Sequence, residues 1–441
     1  MFNREKYTLG EVPVYINQST LPNYIAESYL LLKAHYSHLK TSQARFAQFE
    51  EQKRAAFFSS LKQALTRNAQ NLEPILALLK QHLTVEALDS VHINPNDDEV
   101  QLILKDFSYM RRDWTYLPSG ERQLSIINDQ LKKELAAIDV EKRTALFLGC
   151  GVGRLAMDFI EPYQKVFATD KSFSMIWHIQ ELIKGRAFTF YNPRTRNIQS
   201  IANAAQEYKG QIPAEVLDKV NADSFGCFVS DVLDLPLVNQ SQDAVFSIYF
   251  SDVVALKLWF GEIDRVLTDN GLFIHFGPLD YFFGDIREML TAEEFRQFFE
   301  AKGYRTLVDR VVEAPHLDDP NSNSLKGYRN WFFIAQKQTV ERPSFAINQD
   351  SILYIKKPIP YRREGLLQHG EQETDVILGL PQGEFEGAGA VMVILQFVDG
   401  KNTFAQIIEQ LNVAGYTVDD PTEIRDLLLS FLYQGVLEII E

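Results

Sequence analysis

The sequence predicts an α/β fold, a largely parallel sheet with helices on both faces, set between a helical N-terminal region and a small C-terminal domain. Three observations lead there. Compact apolar runs alternate with helical patterns through the middle of the chain, as strands buried on both faces require. The first run ends in a glycine cluster, Gly149-Cys150-Gly151-Val152-Gly153, with a helical pattern directly beyond it. That strand, turn and helix start makes the sheet Rossmann-like. Finally, Lys337-Gln338-Thr339-Val340-Glu341-Arg342-Pro343 breaks the pattern as a linker, and shorter elements follow.

Residues 1–100 read as a helical region. Ile25, Tyr29, Leu32 and Tyr36 recur at helical spacing, as do Phe57, Leu61 and Leu65, and then Ile75, Leu78 and Leu79. No glycine occurs from Val12 to Ser119, which suits long helices. His35 and His38 share a helix face, but no carboxylate–histidine pattern completes a metal site, so they are assigned to packing or surface. Residues 101–338 hold the alternating region, with strands expected at Ala145–Leu148, Lys165–Ala168, Cys227–Val229, Ala244–Tyr249 and Leu272–Phe276. Two later strands are expected near Arg305–Val308 and Trp331–Ala335. The polar stretch from Gly185 to Asp223 exceeds a normal crossover and suits part of a substrate lid. In residues 345–441, a strand at Ser351–Ile355, helices at Ala390–Phe397, Thr403–Leu411 and Thr422–Leu432, and a last strand at Gly435–Ile439 suggest a winged helix. Asp399-Gly400 and Gly415 mark its turns.

Composition sets outer limits. A chain of 441 residues exceeds one ordinary core, and 46% hydrophobic with 23% charged residues is globular composition. A net charge of −15 argues against a broad nucleic-acid footprint. Two distant cysteines, Cys150 and Cys227, exclude a disulfide scaffold and suit a reducing cytoplasm. The first residues lack the apolar stretch of a signal peptide, and the longest apolar run, Ala390 to Val398, is too short to span a bilayer. A cytoplasmic protein without membrane partners is the expectation.

The chemistry gathers around the glycines. Their spacing is Gly-x-Gly-x-Gly, neither the dinucleotide pattern nor the phosphate loop of nucleotide triphosphatases, which favours S-adenosylmethionine over NAD or ATP. Asp170 follows the next strand, where a carboxylate accepts hydrogen bonds from both ribose hydroxyls. Asp231 follows the strand after that and is placed to receive the adenine amino group. Either acid alone is also an ordinary helix N-cap; the ordered pair is much less common.

At this point the chain resembles the carnosine N-methyltransferases, which are class I methyltransferases. The resemblance runs over roughly residues 103–337. It rests on Arg112-Asp113-Trp114, Gly120-Glu121-Arg122, Gly151-Val152-Gly153-Arg154-Leu155-Ala156, Phe250-Ser251-Asp252, Phe276-Gly277-Pro278-Leu279-Asp280-Tyr281-Phe282-Phe283 and Leu290-Thr291-Ala292-Glu293-Glu294. It implies an S-adenosylmethionine-dependent N-methyltransferase that releases S-adenosylhomocysteine. Arg112 is implied at the methionine carboxylate, which a guanidinium fork matches. Gly149, Gly151, Gly153, Arg154, Asp170, Asp231, Val232 and Ile248 complete the implied cofactor contacts. Asp252 and Tyr281 are implied as catalytic, and Tyr249, Phe250, Asp252, Tyr281, Phe283 and Tyr328 as the substrate wall. Two departures stand out: the family has histidines where this chain has Ala255 and Phe282. The first of those histidines helps hold an imidazole substrate, so carnosine itself is not assured. His275 lies on an apolar strand and reads as packed there rather than facing the cleft.

Beyond the linker, Val393-Ile394-Leu395-Gln396-Phe397-Val398-Asp399-Gly400-Lys401-Asn402-Thr403-Phe404-Ala405-Gln406-Ile407-Ile408 is similar to PqqD-like winged helices. That likeness implies capture of a leader peptide as an added strand. Packing and pairing into a homodimer are the plainer uses of such a domain. The expected function is therefore N-methylation of a peptide, with a histidine imidazole as one acceptor, recruited through the C-terminal domain. The alternatives are methylation of a small imidazole dipeptide or amine, and a cofactor-binding interaction protein that has lost catalysis.

Overall fold

All seven apolar runs of the middle region become strands, and they belong to one sheet. The computed structural model describes residues 2–4, 6–49, 54–91, 105–338, 347–368, 371–380, 383–416, 418, 421–433 and 435–440. They divide into two units, Met1–Thr339 and Val340–Glu441. Residues 339–343 of the expected linker lie outside the described residues.

The first unit opens with strands β1 (Tyr7–Leu9) and β2 (Val12–Val14), then helices α1 (Leu21–Ala47), α2 (Ala55–Lys80) and α3 (Val85–Ser90). Helices α4 (Lys105–Trp114) and α5 (Pro118–Ala137) lead into β3 (Thr144–Leu148), α6 (Arg154–Met157), β4 (Lys165–Asp170) and α7 (Phe173–Ile183). Next come β5 (Phe188–Pro193), β6 (Ala205–Gly210), α8 (Ala214–Leu217), β7 (Phe225–Val229), β8 (Gln242–Ile248) and α9 (Leu256–Val266). Strand β9 (Leu267–Gly277), α10 (Ala292–Ala301), β10 (Tyr304–Pro315) and β11 (Gly327–Lys337) complete it.

The main sheet has nine strands in the order β1-β2-β7-β4-β3-β8-β9-β11-β10. From β2 through β9 the neighbours run parallel, while β11 and β10 are antiparallel additions. Strand β3 shows the physical reason for the apolar runs. Ala145 and Phe147 enter one core layer, Leu146 and Leu148 the other, so every position is apolar. The Phe147 and Phe246 rings stack across β3 and β8 with centroids 4.2 Å apart. Strand order reverses between β3 and β8, and the carboxyl ends of the strands there open a crevice.

One expectation needs correction. The first 100 residues are not wholly helical: β1 and β2 form a hairpin, and Val14 pairs with Val229 of the sheet. The three-residue strands Tyr-Thr-Leu and Val-Pro-Val are too short to show alternation. The polar insertion, expected as part of a substrate lid, is regular structure. It makes the antiparallel hairpin β5–β6, and the buried Asn68 of α2 clasps it: Asn68 Nδ2 donates to the Tyr191 carbonyl at 2.9 Å and Asn68 Oδ1 accepts from the Tyr191 amide at 2.8 Å. Phe190 stacks on Phe107 of α4 at 5.3 Å.

The second unit contains β12 (Ile352–Ile355), β13 (Tyr361–Gln368), β14 (Glu371–Leu380), β15 (Gly383–Ala388) and α11 (Ala390–Gln396). Strand β16 (Asp399–Thr403), α12 (Phe404–Val413), α13 (Pro421–Tyr433) and β17 (Leu437–Ile440) follow. Strand β12 lies between β16 and β17, and β13, β14 and β15 form a separate antiparallel sheet that the sequence pattern did not reveal. Leu353, Ile394, Ile407, Leu411 and Leu428 close one core with Val376 and Leu378 of β14. A reciprocal cap between Thr403 and Gln406 starts α12. Among the described residues no helix is long and apolar enough to cross a membrane.

Asn68→Ala removes the partner of a half-buried amide and a half-buried carbonyl of Tyr191. It is expected to cost about 2–4 kcal/mol of stability, read from urea unfolding; an unchanged midpoint would show that the hairpin does not depend on α2.

Candidate active site

The crevice is built from the glycine turn outward. Gly149 has φ +54°, and a Cβ there would lie 2.5 Å from the Phe250 ring, so both conformation and space demand glycine. The turn is fastened to β4 from two sides: the Cys150 amide donates to the Thr169 carbonyl at 3.0 Å, and the Gly151 amide donates to Asp170 Oδ2 at 3.0 Å. The other carboxylate oxygen, Oδ1, accepts from the Ser172 amide at 2.9 Å. Burial lifts the Asp170 carboxyl to about 6.

Helix α4 closes one side. Trp114 Nε1 donates to the Val152 carbonyl at 2.8 Å, which pins α4 to the turn. The Arg112 guanidinium is buried and paired with Asp113, with Nη2 to Oδ2 at 3.0 Å. Gly120 brings α5 against the same segment, since a Cβ there would lie 2.4 Å from the Arg112 carbonyl oxygen.

A cavity of about 310 Å³ results. Of the residues singled out from sequence, Arg112, Gly149, Gly151, Asp170, Asp231, Val232, Ile248, Tyr249 and Phe250 line it. Lys171 pairs with Asp231 at 3.0 Å, and Tyr109 completes the wall beside Arg112. Gly153 and Arg154 do not line it. Gly153 starts α6, and the Arg154 guanidinium bonds to the Asp113 carbonyl at 2.8 Å, Glu121 at 3.3 Å and Asp158 at 3.0 Å. Arg154 therefore knits α4, α5 and α6 together.

Beyond Tyr249 and Phe250 lie the residues expected to meet substrate. Tyr249 holds φ +56°, unusual for a bulky side chain. Its amide donates to the Phe276 carbonyl at 2.9 Å. Asp252 is 2% exposed, its Oδ2 accepts from the Asp280 amide at 3.3 Å, and burial, with Asp280 nearby, lifts its carboxyl to about 6. The hydroxyl of Tyr281, expected to be catalytic, donates to the Leu290 carbonyl at 2.6 Å, and burial pushes it up to about 12. Phe283 packs on Tyr281 at 5.1 Å. Phe282, where the family has histidine, is 71% exposed, and Ala255 is buried at the start of α9.

The structure adds a residue that no sequence signal marked. His316, in the connection between β10 and β11, lies between Tyr249 and Tyr328 with both ring centroids 4.9 Å away. Burial first, then Arg112 and Lys326, lower it to about 3, so the ring is neutral. Its loop is anchored by Asp319, which meets Asn192 at 2.7 Å and Arg194 at 2.8 Å from the β5–β6 insertion. His35 is buried on α1, and among the described residues no group of three or more His, Cys, Asp or Glu could hold a metal.

The model of the carnosine N-methyltransferase family matches residues 89–339, more than half of the chain. The chain belongs to the carnosine N-methyltransferase family. It is an S-adenosylmethionine-dependent methyltransferase built on a Rossmann-like class I sheet flanked by helices. No curated protein matches it. Solved structures similar to it include a SAM-dependent methyltransferase from Methanosarcina mazei, at 13% identity and TM-score 0.33 over 46% of this chain and 97% of that one. A SAM-dependent methyltransferase from Aquifex aeolicus aligns at 17% identity and TM-score 0.30 over 52% of this chain and 97% of its own. One from Leishmania major aligns at 14% and 0.33 over 53% and 82%.

Arg154→Met is expected to lower stability by about 1–3 kcal/mol, because three helices lose a shared donor. S-adenosylhomocysteine affinity should stay within about twofold by calorimetry; a tenfold loss would return Arg154 to the cofactor site.

Proposed function

We propose that this methyltransferase moves the methyl group of S-adenosylmethionine to a nitrogen of a small imidazole dipeptide of the carnosine class. The observation that carries the reading is the continuity of one cavity from Asp170 and Asp231, past Arg112, to Tyr249 and Phe250, with Asp252 just beyond. The residues present fit the cofactor. The Asp170 oxygens accept from backbone amides and, with about four acceptor sites between them, keep capacity for a ribose hydroxyl. Asp231 suits the adenine amino group. Arg112 gives two of its five N–H groups to Asp113 and keeps others for a carboxylate. Val232 and Ile248 offer apolar contact along the same wall.

When bound, the cofactor supplies an electrophilic methyl on a sulfonium, and the protein's task is alignment and exclusion of water. Tyr249, Phe250 and Tyr328 wall the acceptor, and neutral His316 offers it a hydrogen bond where the family's histidines are missing. Asp252 accepts a hydrogen bond from the ring nitrogen that carries the proton, which leaves the other nitrogen's lone pair to attack the methyl, and takes that proton as the methylated ring becomes cationic. Tyr281 holds the loop rather than touching the reacting atoms.

A second reading has its own support. The strands and helices of the second unit, together with the PqqD-like sequence at 393–408, suit a winged helix that recruits a peptide to be methylated.

Mass spectrometry of carnosine incubated with enzyme and S-adenosylmethionine should show one added methyl. Methylation of a histidine-containing peptide alone, lost on removing Val340–Glu441, would instead favour the second reading. Asp170→Ala should weaken cofactor binding at least ~10-fold by calorimetry; unchanged affinity contradicts the ribose role. Asp252 accepts a proton only when ionised, and the substrate imidazole attacks only when neutral, so kcat/KM for carnosine should fall below about pH 6 with a second-order dependence on protons. Asp252→Asn should leave a first-order limb from the substrate imidazole alone; an unchanged second-order limb contradicts the base role.

A further inference from the structure

Beneath the turn that carries Asp252 runs a chain of buried polar side chains that the transfer itself does not use. Ser247 and His275 are 0% exposed and Ser251 is 1% exposed. Ser247 Oγ lies 2.6 Å from Ser251 Oγ, and Ser251 Oγ lies 2.9 Å from His275 Nδ1. His275 Nε2 lies 3.3 Å from the Gly277 carbonyl oxygen. One proton arrangement satisfies every contact. A carbonyl only accepts, so Nε2 carries the ring hydrogen and Nδ1 is an acceptor. Ser251 then donates to Nδ1 and accepts from Ser247. Burial holds the imidazole at about 4, so the ring stays neutral and the arrangement persists at neutral pH.

The ends of this chain are the two loops of the substrate side. Ser247 is the last residue but one of β8, Ser251 adjoins Asp252, and Gly277 opens the Gly-Pro-Leu-x-Tyr segment. That segment returns two backbone bonds to Asp252: the Asp280 amide to Oδ2 at 3.3 Å and the Phe282 amide to the Asp252 carbonyl at 3.0 Å. Between them stands Tyr249 with its positive φ, a conformation that persists only where its surroundings hold it. Side-chain bonds here add to the last backbone link between the two strand ends, the Tyr249 amide to the Phe276 carbonyl.

We propose that His275 is a positioning residue for methyl transfer, fixing the Asp252 turn through Ser251 and the Gly-Pro-Leu-x-Tyr loop through Gly277. This rests on the reading of Asp252 as the group that meets the acceptor. His275 also packs against Trp331 at 5.2 Å, so a purely packing role is the competitor.

Three variants separate the two. His275→Leu keeps an apolar filling and loses both bonds. Ser251→Ala removes one oxygen from the middle of the chain and guards against misfolding of the first. His275→Asn sets an amide oxygen where Nδ1 stands. The Asp252 carboxyl is followed by carbon-13 NMR titration, assigned with Asp252→Asn, and carnosine turnover is measured alongside. With the chain cut, the turn opens to water. The Asp252 midpoint should fall by roughly one pH unit from its value near 6. In the same variants kcat should drop at least ~10-fold while KM moves less than about threefold, and His275→Asn should restore the titration. An Asp252 midpoint and kcat unmoved by both His275→Leu and Ser251→Ala would overturn the proposal. The titration needs no turnover, so it reads the positioning even if carnosine is not the acceptor. An Asp252→Asn enzyme with full kcat would defeat the functional reading on its own, and the positioning role with it.

Discussion

The site depends on one carboxylate that has been taken out of water and given backbone partners. Asp170 ends β4 and accepts from Gly151 on one oxygen and from Ser172 on the other. It thereby joins the turn after β3 to the helix after β4. Burying a carboxylate is costly unless hydrogen bonds replace its hydration. Here the two amides do so only in part, and the group remains hard to ionise. A carboxylate with acceptor capacity to spare suits a ligand that brings hydroxyl donors, so the residue that shapes the turn is also chemically matched to such a ligand. Gly149, pressed against Phe250, extends that dependence to β8 and to the substrate side.

The substrate side is held by different means. Neither Tyr249 nor Asp252 sits in regular structure; they follow the last residues of β8, where ladder bonds stop. Their positions come from amides donated by the neighbouring loop and from the buried Ser247, Ser251 and His275 chain. Polar networks of this kind stabilise one arrangement strongly when every member is satisfied. The Asp170 side and the Asp252 side of the crevice therefore meet at Phe250, the second held by backbone amides and buried side chains together.

Much of the fold was legible because strands buried on both faces must be continuously apolar, and β3, β4, β8 and β9 announce themselves that way. The turn after β3 was equally plain, since its conformation admits few residues other than glycine. Strands β1 and β2 were hidden by their brevity. Strands β13 to β15 were hidden because glutamate and glycine recur along them, so no apolar alternation shows. Asp170 and Asp231 were singled out by their order after successive strands and Arg112 by the family resemblance, and all three line the crevice. Arg154 belonged to the same motif yet serves helix packing, because sequence order does not say which way a side chain turns. His316 carried no local signal. It reaches Tyr249 only because β10 and β11 bring their connection back over the crevice, which is a property of topology.

The first 88 residues have a further meaning. They precede the segment that matches the family, yet β2 extends the sheet beside β7, and α2 grips the hairpin that in turn anchors the loop bearing His316. The boundary of sequence kinship is thus not a boundary of folding. A gene fusion or duplication that copied only residues 89–339 would inherit the catalytic motifs without the layer that seats them. The N-terminal layer and the catalytic sheet are thus one folding unit, joined at the β2–β7 pairing and at the Asn68 clasp.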